Sequence, residues 1–88
     1  IEIETRNLGE LKKVLQYGGV KRIMLDNFNL KDLKKAVDII NGQFETEASG
    51  GINLETVREY AKCGVDFISV GALTHSVHNM DLSLKAIP

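Results

Sequence analysis

The 88-residue sequence has one cysteine, one proline and no tryptophan, and it contains no apolar run long enough to span a membrane. The single cysteine, Cys63, cannot form an internal disulfide, which favours a reducing cytoplasm over a disulfide-stabilised secreted domain. The 11 basic and 12 acidic residues give a net charge of -1, so we expect neither nucleic acid nor an anionic membrane as a partner. A small molecule is the expected ligand, and the length allows one small domain or part of one.

Against these absences stands a repeated helix pattern. Three segments begin with Asn-Leu and close with Gly: Asn7-Leu8 to Gly18, Asn29-Leu30 to Gly42, and Asn53-Leu54 to Gly64. Asn is a favoured N-cap, and Gly just past a helix takes the left-handed conformation at no steric cost. Apolar residues recur in each segment close to a 3.6-residue period. The pattern predicts three helices, each with one buried face.

Short β-prone runs lie between these helices, at residues 1–5, 22–26, 44–48 and 67–70. The resulting order, β-α-β-α-β-α-β, predicts parallel strands with right-handed crossovers. The repeat length is that of a (βα) barrel, and a complete barrel needs about 250 residues. We therefore predict an α/β fold that forms roughly half of a TIM-like, incomplete barrel, with four strands and three helices.

The chain starts on Ile1, within an alternating run, rather than on Met. We therefore expect residues 1–88 to be the C-terminal portion of a barrel domain in a longer chain. An isolated parallel half-sheet would leave its edges unpaired and one face uncovered. The other half, or another copy of this chain, is expected to cover them.

Carboxylates lie within the predicted strands, at Glu2, Glu4, Asp26, Glu45 and Glu47. Side chains alternate along a strand, so these acids should point away from the helices, with Asp26 following a buried apolar pair at 24–25. Glu4, Asp26 and Glu47 lie at or near the C-terminal strand ends, where barrel enzymes build their sites. There they could bind Mg²⁺ or sugar hydroxyls. Glu2 and Glu45 could equally be solvated.

The third predicted strand runs into Ser49-Gly50-Gly51, before a helix expected to be capped by Asn53. Free N–H groups and the positive end of a helix dipole favour an anion, and glycine allows a phosphate to approach the backbone. The alternative is that the two glycines form only a tight turn. The fourth strand runs into residues 71–75, and successive loops at the end of a barrel often bind one phosphate. Gly71 alone could instead be a packing device.

Other reactive side chains give weaker signals. His75 lies in the second predicted phosphate loop and could donate to the anion, whereas His78 is expected on a solvated turn. Neither histidine has a cysteine partner at zinc spacing. Cys63 has no basic neighbour in sequence that would activate its thiol, so we interpret it as a small apolar filler.

Several strings carry a resemblance to a known family: IEIETRNLGEL, IMLDNF, EASGGINLETVREYAKCGVDFISVGALTHSV and DLSLK. Together they resemble the C-terminal part of nicotinate-nucleotide pyrophosphorylase, also called quinolinate phosphoribosyltransferase. The resemblance implies an enzyme that joins quinolinate to 5-phosphoribosyl 1-pyrophosphate and releases pyrophosphate and CO₂. It also implies Mg²⁺, no organic cofactor, and a homodimer or larger assembly.

The resemblance assigns roles to particular residues. Glu4 and Asp26 match acids that hold the ribose hydroxyls and the Mg²⁺-pyrophosphate group. The residues that match the 5′-phosphate site are Ser49, Gly50, Gly71 and His75. Three further residues lie in the same motifs without a defined role: Glu47, Gly51 and Ala72.

The resemblance also indicates what residues 1–88 lack. The family's basic cluster for the two carboxylates of quinolinate precedes the position of Ile1, with an arginine from a neighbouring subunit. The lysines at 12, 13, 34 and 35 lie on predicted helices and are interpreted as solvated. We therefore expect this chain alone not to bind quinolinate well. Two alternatives remain open here: another phosphate-binding barrel enzyme, and a non-catalytic half-barrel unit.

Overall fold

The computed structural model describes residues 2–70 and 73–77. Its elements are β1 (Glu2–Thr5), α1 (Leu8–Tyr17), β2 (Arg22–Asp26), α2 (Leu30–Ile40), β3 (Glu45–Ser49), α3 (Val57–Ala61), β4 (Phe67–Val70) and β5 (Leu73–Ser76). The strands form one sheet in the order β1-β2-β3-β4-β5, and the first four are parallel. The predicted α/β alternation of four parallel strands and three helices is confirmed.

The first two helices begin where their asparagines predict. The Asn7 side chain accepts a hydrogen bond from the Glu10 N–H at 2.9 Å, and Asn29 accepts one from the Asp32 N–H at 2.8 Å. Each bond satisfies a donor that has no partner within the helix. Gly18 follows α1 with φ 67° and ψ -156°, so it has the positive φ that glycine adopts readily but not the left-handed helical conformation that was predicted.

The second helix ends at Ile40, two residues before the predicted glycine. Asn41 occupies its C-cap with φ 50°, and Gly42 follows with φ 76°. Asparagine tolerates the left-handed region better than other residues with a Cβ, so it can take the place of glycine here. The sequence therefore located the helix end correctly to within one residue.

The third helix differs from its prediction. It begins at Val57, because the Asn53 side chain closes a preceding turn by accepting from the N–H groups of Glu55 and Thr56 at 2.9 and 3.0 Å. Asn53 therefore does not cap α3, and the helix has only five residues. The two N–H groups that Asn53 binds already have a partner within the chain.

The core lies between the helices and one face of the sheet. Fully buried side chains from both layers form it: Leu11, Ile23, Leu25, Leu33, Ala36, Ile40, Ala48, Val57 and Ile68. Thr5 and Thr46 on the same sheet face are also buried, at 0% and 3% exposure. This alternation confirms that the strand acids point to the opposite face, hereafter the open face. The apolar pair before Asp26 divides accordingly, because Leu25 is buried but Met24 is only half-buried on the open face.

The sheet has one strand that the repeat pattern did not predict. β5 runs antiparallel to β4, with Leu73 opposite Val70 and Ser76 opposite Phe67. An antiparallel neighbour needs only a short connection, so no helix signal announces it, whereas a parallel strand requires a crossover. Within residues 2–70 and 73–77, no helix is long and apolar enough to cross a membrane.

Candidate functional site

The carboxyl ends of β1, β2 and β3 meet at one edge of the parallel sheet. The residues of this edge, hereafter the carboxyl edge, are Glu4, Asp26, Asn27 and the segment 49–51. Glu4 is in register with Met24, and Asp26 is in register with Ser49. Glu4 and Asp26 therefore lie on the open face of neighbouring strands, offset by two residues. The structure thus brings together the two acids and the serine that the sequence predicts for a sugar-phosphate site.

The carboxylates of this edge have few protein partners among the described residues. The Ser49 hydroxyl donates to Asp26 Oδ1 at 3.0 Å. Glu4 forms an ion pair with Arg6 at 3.3 Å, and the two side chains are 47% and 70% exposed. Such exposed pairs contribute little stability and exchange readily with solvent. Both carboxylates can therefore accept hydrogen bonds from a bound sugar or share a cation.

The two glycines at this edge are conformationally similar and sterically different. Gly50 has φ 94° and Gly51 has φ 67°, a region that disfavours side chains. A Cβ on Gly50 would lie 2.8 Å from both Cγ and the backbone N of Asn27, and closer still to its Oδ1. A Cβ on Gly51 would meet nothing within 4 Å. The close approach that the glycines predict is thus made at Gly50 by Asn27, and the space beside Gly51 is open.

Glu47 stands apart from the other predicted acids. Only 4% of it is exposed, and its carboxylate accepts from Arg22 Nη1 at 3.2 Å and from Ser69 Oγ at 2.6 Å. A buried carboxylate needs such partners, because an unpaired buried charge is costly. Glu47 is therefore bound within the sheet rather than presented to a ligand.

Arg22 also holds the acids at the amino-terminal half of the sheet. Its guanidinium lies 3.8 Å from Glu2 and 3.4 Å from Glu45, and its Cζ lies 3.7 Å from the ring centre of Phe67. We call these residues, with Glu47 and Ser69, the Arg22 cluster. Sequence reasoning missed it, although Arg22 sits on the same alternating face as the acids and in register with two of them.

The charges of the Arg22 cluster affect the ionisation of Glu2. Partial burial raises the pKa of Glu2 above its ordinary value, and the negative charge of Glu47 raises it further, against the opposing effect of Arg22. Glu2 therefore ionises less readily in the folded chain than a freely solvated glutamate does.

The second predicted phosphate loop is described only in part. His75 lies in β5 opposite Ile68, in a strand rather than in the loop that the sequence predicts. Gly71, Ala72 and His78 lie outside the described residues. The roles predicted for His75 and Gly71, and the place of Ala72 in the same motif, stay predictions.

Two other predictions concern the thiol and the metal. Cys63 is 7% exposed, with Sγ 3.6 Å from the Glu59 carbonyl, and burial raises the pKa of its thiol, in keeping with an apolar filler. Among the described residues, no group of three or more acidic, histidine or cysteine side chains could hold a metal. Glu4 and Asp26 provide two hard oxygen donors, which suit Mg²⁺ when a bound substrate supplies further ligands.

Several known proteins are similar to this chain in sequence. The family described as quinolinate phosphoribosyl transferase, C-terminal domain, matches residues 1–85. The chain is 50% identical to a chloroplastic nicotinate-nucleotide pyrophosphorylase of Arabidopsis thaliana, over 97% of this chain and 28% of the relative. It is 44% identical to a probable nicotinate-nucleotide pyrophosphorylase of Methanocaldococcus jannaschii, over 99% of this chain and 33% of the relative.

A solved structure from the same group of enzymes is also similar to this chain. The nicotinate-nucleotide pyrophosphorylase of Ehrlichia chaffeensis superposes with a TM-score of 0.75 at 44% identity, covering 81% of this chain and 26% of that one. The chain therefore spans about a third or less of the length of these relatives. With the family match across nearly all its residues, the chain belongs to the quinolinate phosphoribosyl transferase C-terminal domain family.

Proposed function

We propose that this chain is the phosphoribosyl-binding part of a quinolinate phosphoribosyltransferase of de novo NAD synthesis. The observation that carries the proposal is the family match over residues 1–85. The carboxyl edge supports it, because Glu4, Asp26 and Ser49 converge there on the open face. The match favours this reading over another phosphate-binding barrel enzyme.

The proposed reaction is a glycosyl transfer followed by loss of CO₂. The pyridine nitrogen of quinolinate forms a bond to C1 of the ribose as the bond from C1 to pyrophosphate breaks. Cleavage of the bond between C2 and its carboxyl group then releases CO₂, and the electron pair of that bond stays on C2, beside the positively charged ring nitrogen, where it takes up a proton. The product is nicotinate mononucleotide, and no organic cofactor is required.

Glu4 and Asp26 are the proposed catalytic residues. Positive charge develops on the ribose ring as pyrophosphate leaves, as it does on the sugar in glycoside hydrolysis. A carboxylate fixed beside the ring stabilises that charge more in the transition state than in the ground state. In this structure the Ser49 hydroxyl donates to Asp26 at 3.0 Å and orients its carboxylate until the phosphate draws that hydroxyl away. Glu4 and Asp26 would be the residues that hold Mg²⁺, which would supply positive charge to offset that of the leaving pyrophosphate.

Ser49 and Gly50, with Gly71 and His75, are the proposed 5′-phosphate site. The Ser49 hydroxyl has one proton, which it donates to Asp26 in this structure. To donate to a phosphate oxygen it must turn away from Asp26. Phosphate binding would then free an Asp26 lone pair for a ribose hydroxyl. The 5′-phosphate and the ribose would thus bind two neighbouring side chains, Ser49 and Asp26.

The quinolinate carboxylates require basic residues beyond those at the carboxyl edge. Lysines 12, 13, 34 and 35 are exposed, as predicted from their helical positions. We propose that the quinolinate-binding cations come from sequence before Ile1 and from a second subunit of a homodimer or larger assembly. Residues 1–88 alone would then be inactive and would self-associate through the uncovered sheet. We also propose that the protein is cytoplasmic, although the plant relative is named chloroplastic.

The test uses the full product of the gene that encodes this chain, hereafter the full gene product. It should form nicotinate mononucleotide, pyrophosphate and CO₂ in equal amounts from quinolinate and 5-phosphoribosyl 1-pyrophosphate with Mg²⁺. Nicotinate in place of quinolinate should give far less product, because it lacks the second carboxylate. No product from quinolinate, in a folded protein that binds neither substrate, would refute the proposal.

A matched control distinguishes the loss of a carboxylate at the proposed site from the loss of a carboxylate elsewhere on the surface. Asp26→Asn should remove most turnover, whereas Asp38→Asn should not. Asp38 lies on α2, 65% exposed, in a pair with Lys34 at 3.5 Å. Residues 1–88 alone should show no turnover; a monodisperse 88-residue monomer that catalysed the reaction would contradict the proposed division of labour.

A further inference from the structure

We infer that Asn27 is a positioning residue that fixes the Ser49-Gly50 segment against Asp26, so that the serine hydroxyl and the carboxylate act on the phosphoribosyl substrate as one unit. This inference rests on the proposed function. It adds a residue that lies outside the site predicted from the sequence.

The backbone of Asn27 is held in an uncommon conformation. Its φ is 59°, in the left-handed region that few residues other than glycine adopt. This turn directs the Asn27 N–H to the Ser49 carbonyl, to which it donates at 3.0 Å. The hydrogen bond continues the pairing of β2 with β3 one residue past the end of β2, at the point where Asp26 faces Ser49.

The side chain of Asn27 packs on the neighbouring loop. Its Oδ1 and Cγ occupy the space that a Cβ on residue 50 would need. Gly50 accommodates this contact because it has no side chain and takes φ 94°. The asparagine and the glycine therefore fit only as a pair, with one side chain filling the position that the other residue lacks.

These two contacts bracket the hydrogen bond between Ser49 and Asp26. Asn27 directly follows Asp26, and Gly50 directly follows Ser49. The ends of β2 and β3 are therefore held together at the residues next to this hydrogen bond. Loss of the Asn27 side chain would leave Gly50 free to move, since glycine is the least restricted residue. A displacement of about 1 Å at a substrate-positioning group can cost on the order of a hundredfold in rate.

The chain offers a matched control for Asn27. Asn41 is also an exposed asparagine in the left-handed region, with φ 50°, but it caps α2, where its N–H donates to the Val37 carbonyl at 2.9 Å. Replacing either asparagine by glycine keeps that backbone conformation and removes the side chain. Of the two variants, Asn27→Gly removes the side-chain atoms that lie beside Gly50, while the backbone N of residue 27 stays in place.

The experiment measures the affinity of the full gene product for 5-phosphoribosyl 1-pyrophosphate and for quinolinate by calorimetry, with thermal unfolding of each variant. Asn27→Gly should weaken 5-phosphoribosyl 1-pyrophosphate binding by about tenfold, as a positioning defect, and leave quinolinate binding within about twofold. Asn41→Gly should change neither affinity. Asn27→Asp, which keeps the packing atoms, should restore the affinity in high salt, where its added charge is screened.

Each other outcome decides the question. If Asn27→Gly and Asn41→Gly lower the melting temperature equally and neither alters substrate affinity, Asn27 is a turn residue only and the inference is wrong. Equal loss of both substrates in Asn27→Gly would also overturn it. If Asn27→Gly does not fold, Asn27→Asp in high salt decides, and weakened 5-phosphoribosyl 1-pyrophosphate binding there would overturn the inference. A parent protein that binds neither substrate would instead refute the proposed function.

Discussion

Two groups of carboxylates on the open face of the sheet have opposite surroundings. At the Arg22 cluster, one guanidinium lies within 3.8 Å of Glu2, Glu45 and Glu47, and Glu47 is almost completely buried. At the carboxyl edge, Asp26 accepts from a serine hydroxyl, and Glu4 pairs with an exposed arginine. Both groups occupy alternate positions of parallel strands, and position along the strand alone placed Glu47 with Glu4 and Asp26.

The difference indicates which acids support the fold and which can serve a ligand. A buried carboxylate needs internal donors, and once they are supplied it has little capacity left for a substrate. A half-exposed carboxylate with weak partners keeps its acceptor capacity. Glu47, which the sequence placed among the candidate site residues, therefore groups with the Arg22 cluster in this structure.

The largest expected effect comes from removing Arg22. Arg22→Met should lower the free energy of unfolding by about 3 kcal/mol, because it removes the cationic partner of the buried Glu47 carboxylate and leaves Ser69 donating to it. Adding Glu47→Gln should recover most of this loss, since the amide carries no charge. Urea unfolding of the single and double variants checks the coupling.

Its control is the exposed pair of Lys34 and Asp38, at 3.5 Å. Lys34→Met should change stability by less than about 0.5 kcal/mol. A cost for Arg22→Met no larger than this would show that the Arg22 cluster does not stabilise the sheet.

The opposite result is expected from Asp26. Asp26→Asn keeps the shape of the side chain and an acceptor for Ser49, so stability should change by less than about 1 kcal/mol. Turnover of the full gene product should fall by about a hundredfold, more than substrate affinity, because the lost charge acts mainly in the transition state. Steady-state kinetics with substrate titration measures both. Unchanged turnover would move Asp26 to the structural group.

The two glycines of the carboxyl edge provide a steric comparison. Gly50→Ala should be less stable than Gly51→Ala by about 1–2 kcal/mol, because both strain a left-handed backbone but only the first forces a Cβ onto Asn27. Gly50→Ala should also weaken 5-phosphoribosyl 1-pyrophosphate binding with quinolinate binding little changed. Equal stability of the two variants in chemical denaturation would show that Asn27 does not restrict the space beside Gly50.

The smallest effect is expected at Glu2. Its raised pKa means that the stability it contributes is fully present below its ordinary pKa of 4.5 and is lost as the pH rises through the raised value. Glu2→Gln removes this dependence, so relative to the parent it should gain stability between pH 4 and pH 7, by less than about 0.5 kcal/mol. Turnover should barely change. If Glu2→Gln instead loses stability relative to the parent as the pH rises, the pKa of Glu2 is not raised by folding.

Much of the fold could be predicted because its signals are local. Asn7 and Asn29 each satisfy an N–H three residues ahead, and the 3.6-residue period of apolar residues selects one buried helix face. Helices between strands force a parallel sheet, which places the strand ends at one edge. Asp26 and Ser49 could therefore be predicted to be neighbours without coordinates.

The failures of prediction involve competition between a local signal and another partner. Asn53 has the same residue type as the two true caps, but its side chain closes a turn before the helix, and this choice depends on the loop that precedes it. β5 pairs with β4 through an antiparallel register that no periodicity announces.

By itself, the sequence determined the β-α order, the face on which the acids lie and the edge at which Glu4, Asp26 and Ser49 meet, since these follow from backbone periodicity. Only the tertiary structure decided that Arg22 neutralises Glu47 and that Asn27 makes the close approach to Gly50. Those contacts join residues 25 and 23 positions apart, respectively. Periodicity fixes which face a side chain occupies, but the distance between side chains on different strands depends on register, and register is set when the core packs.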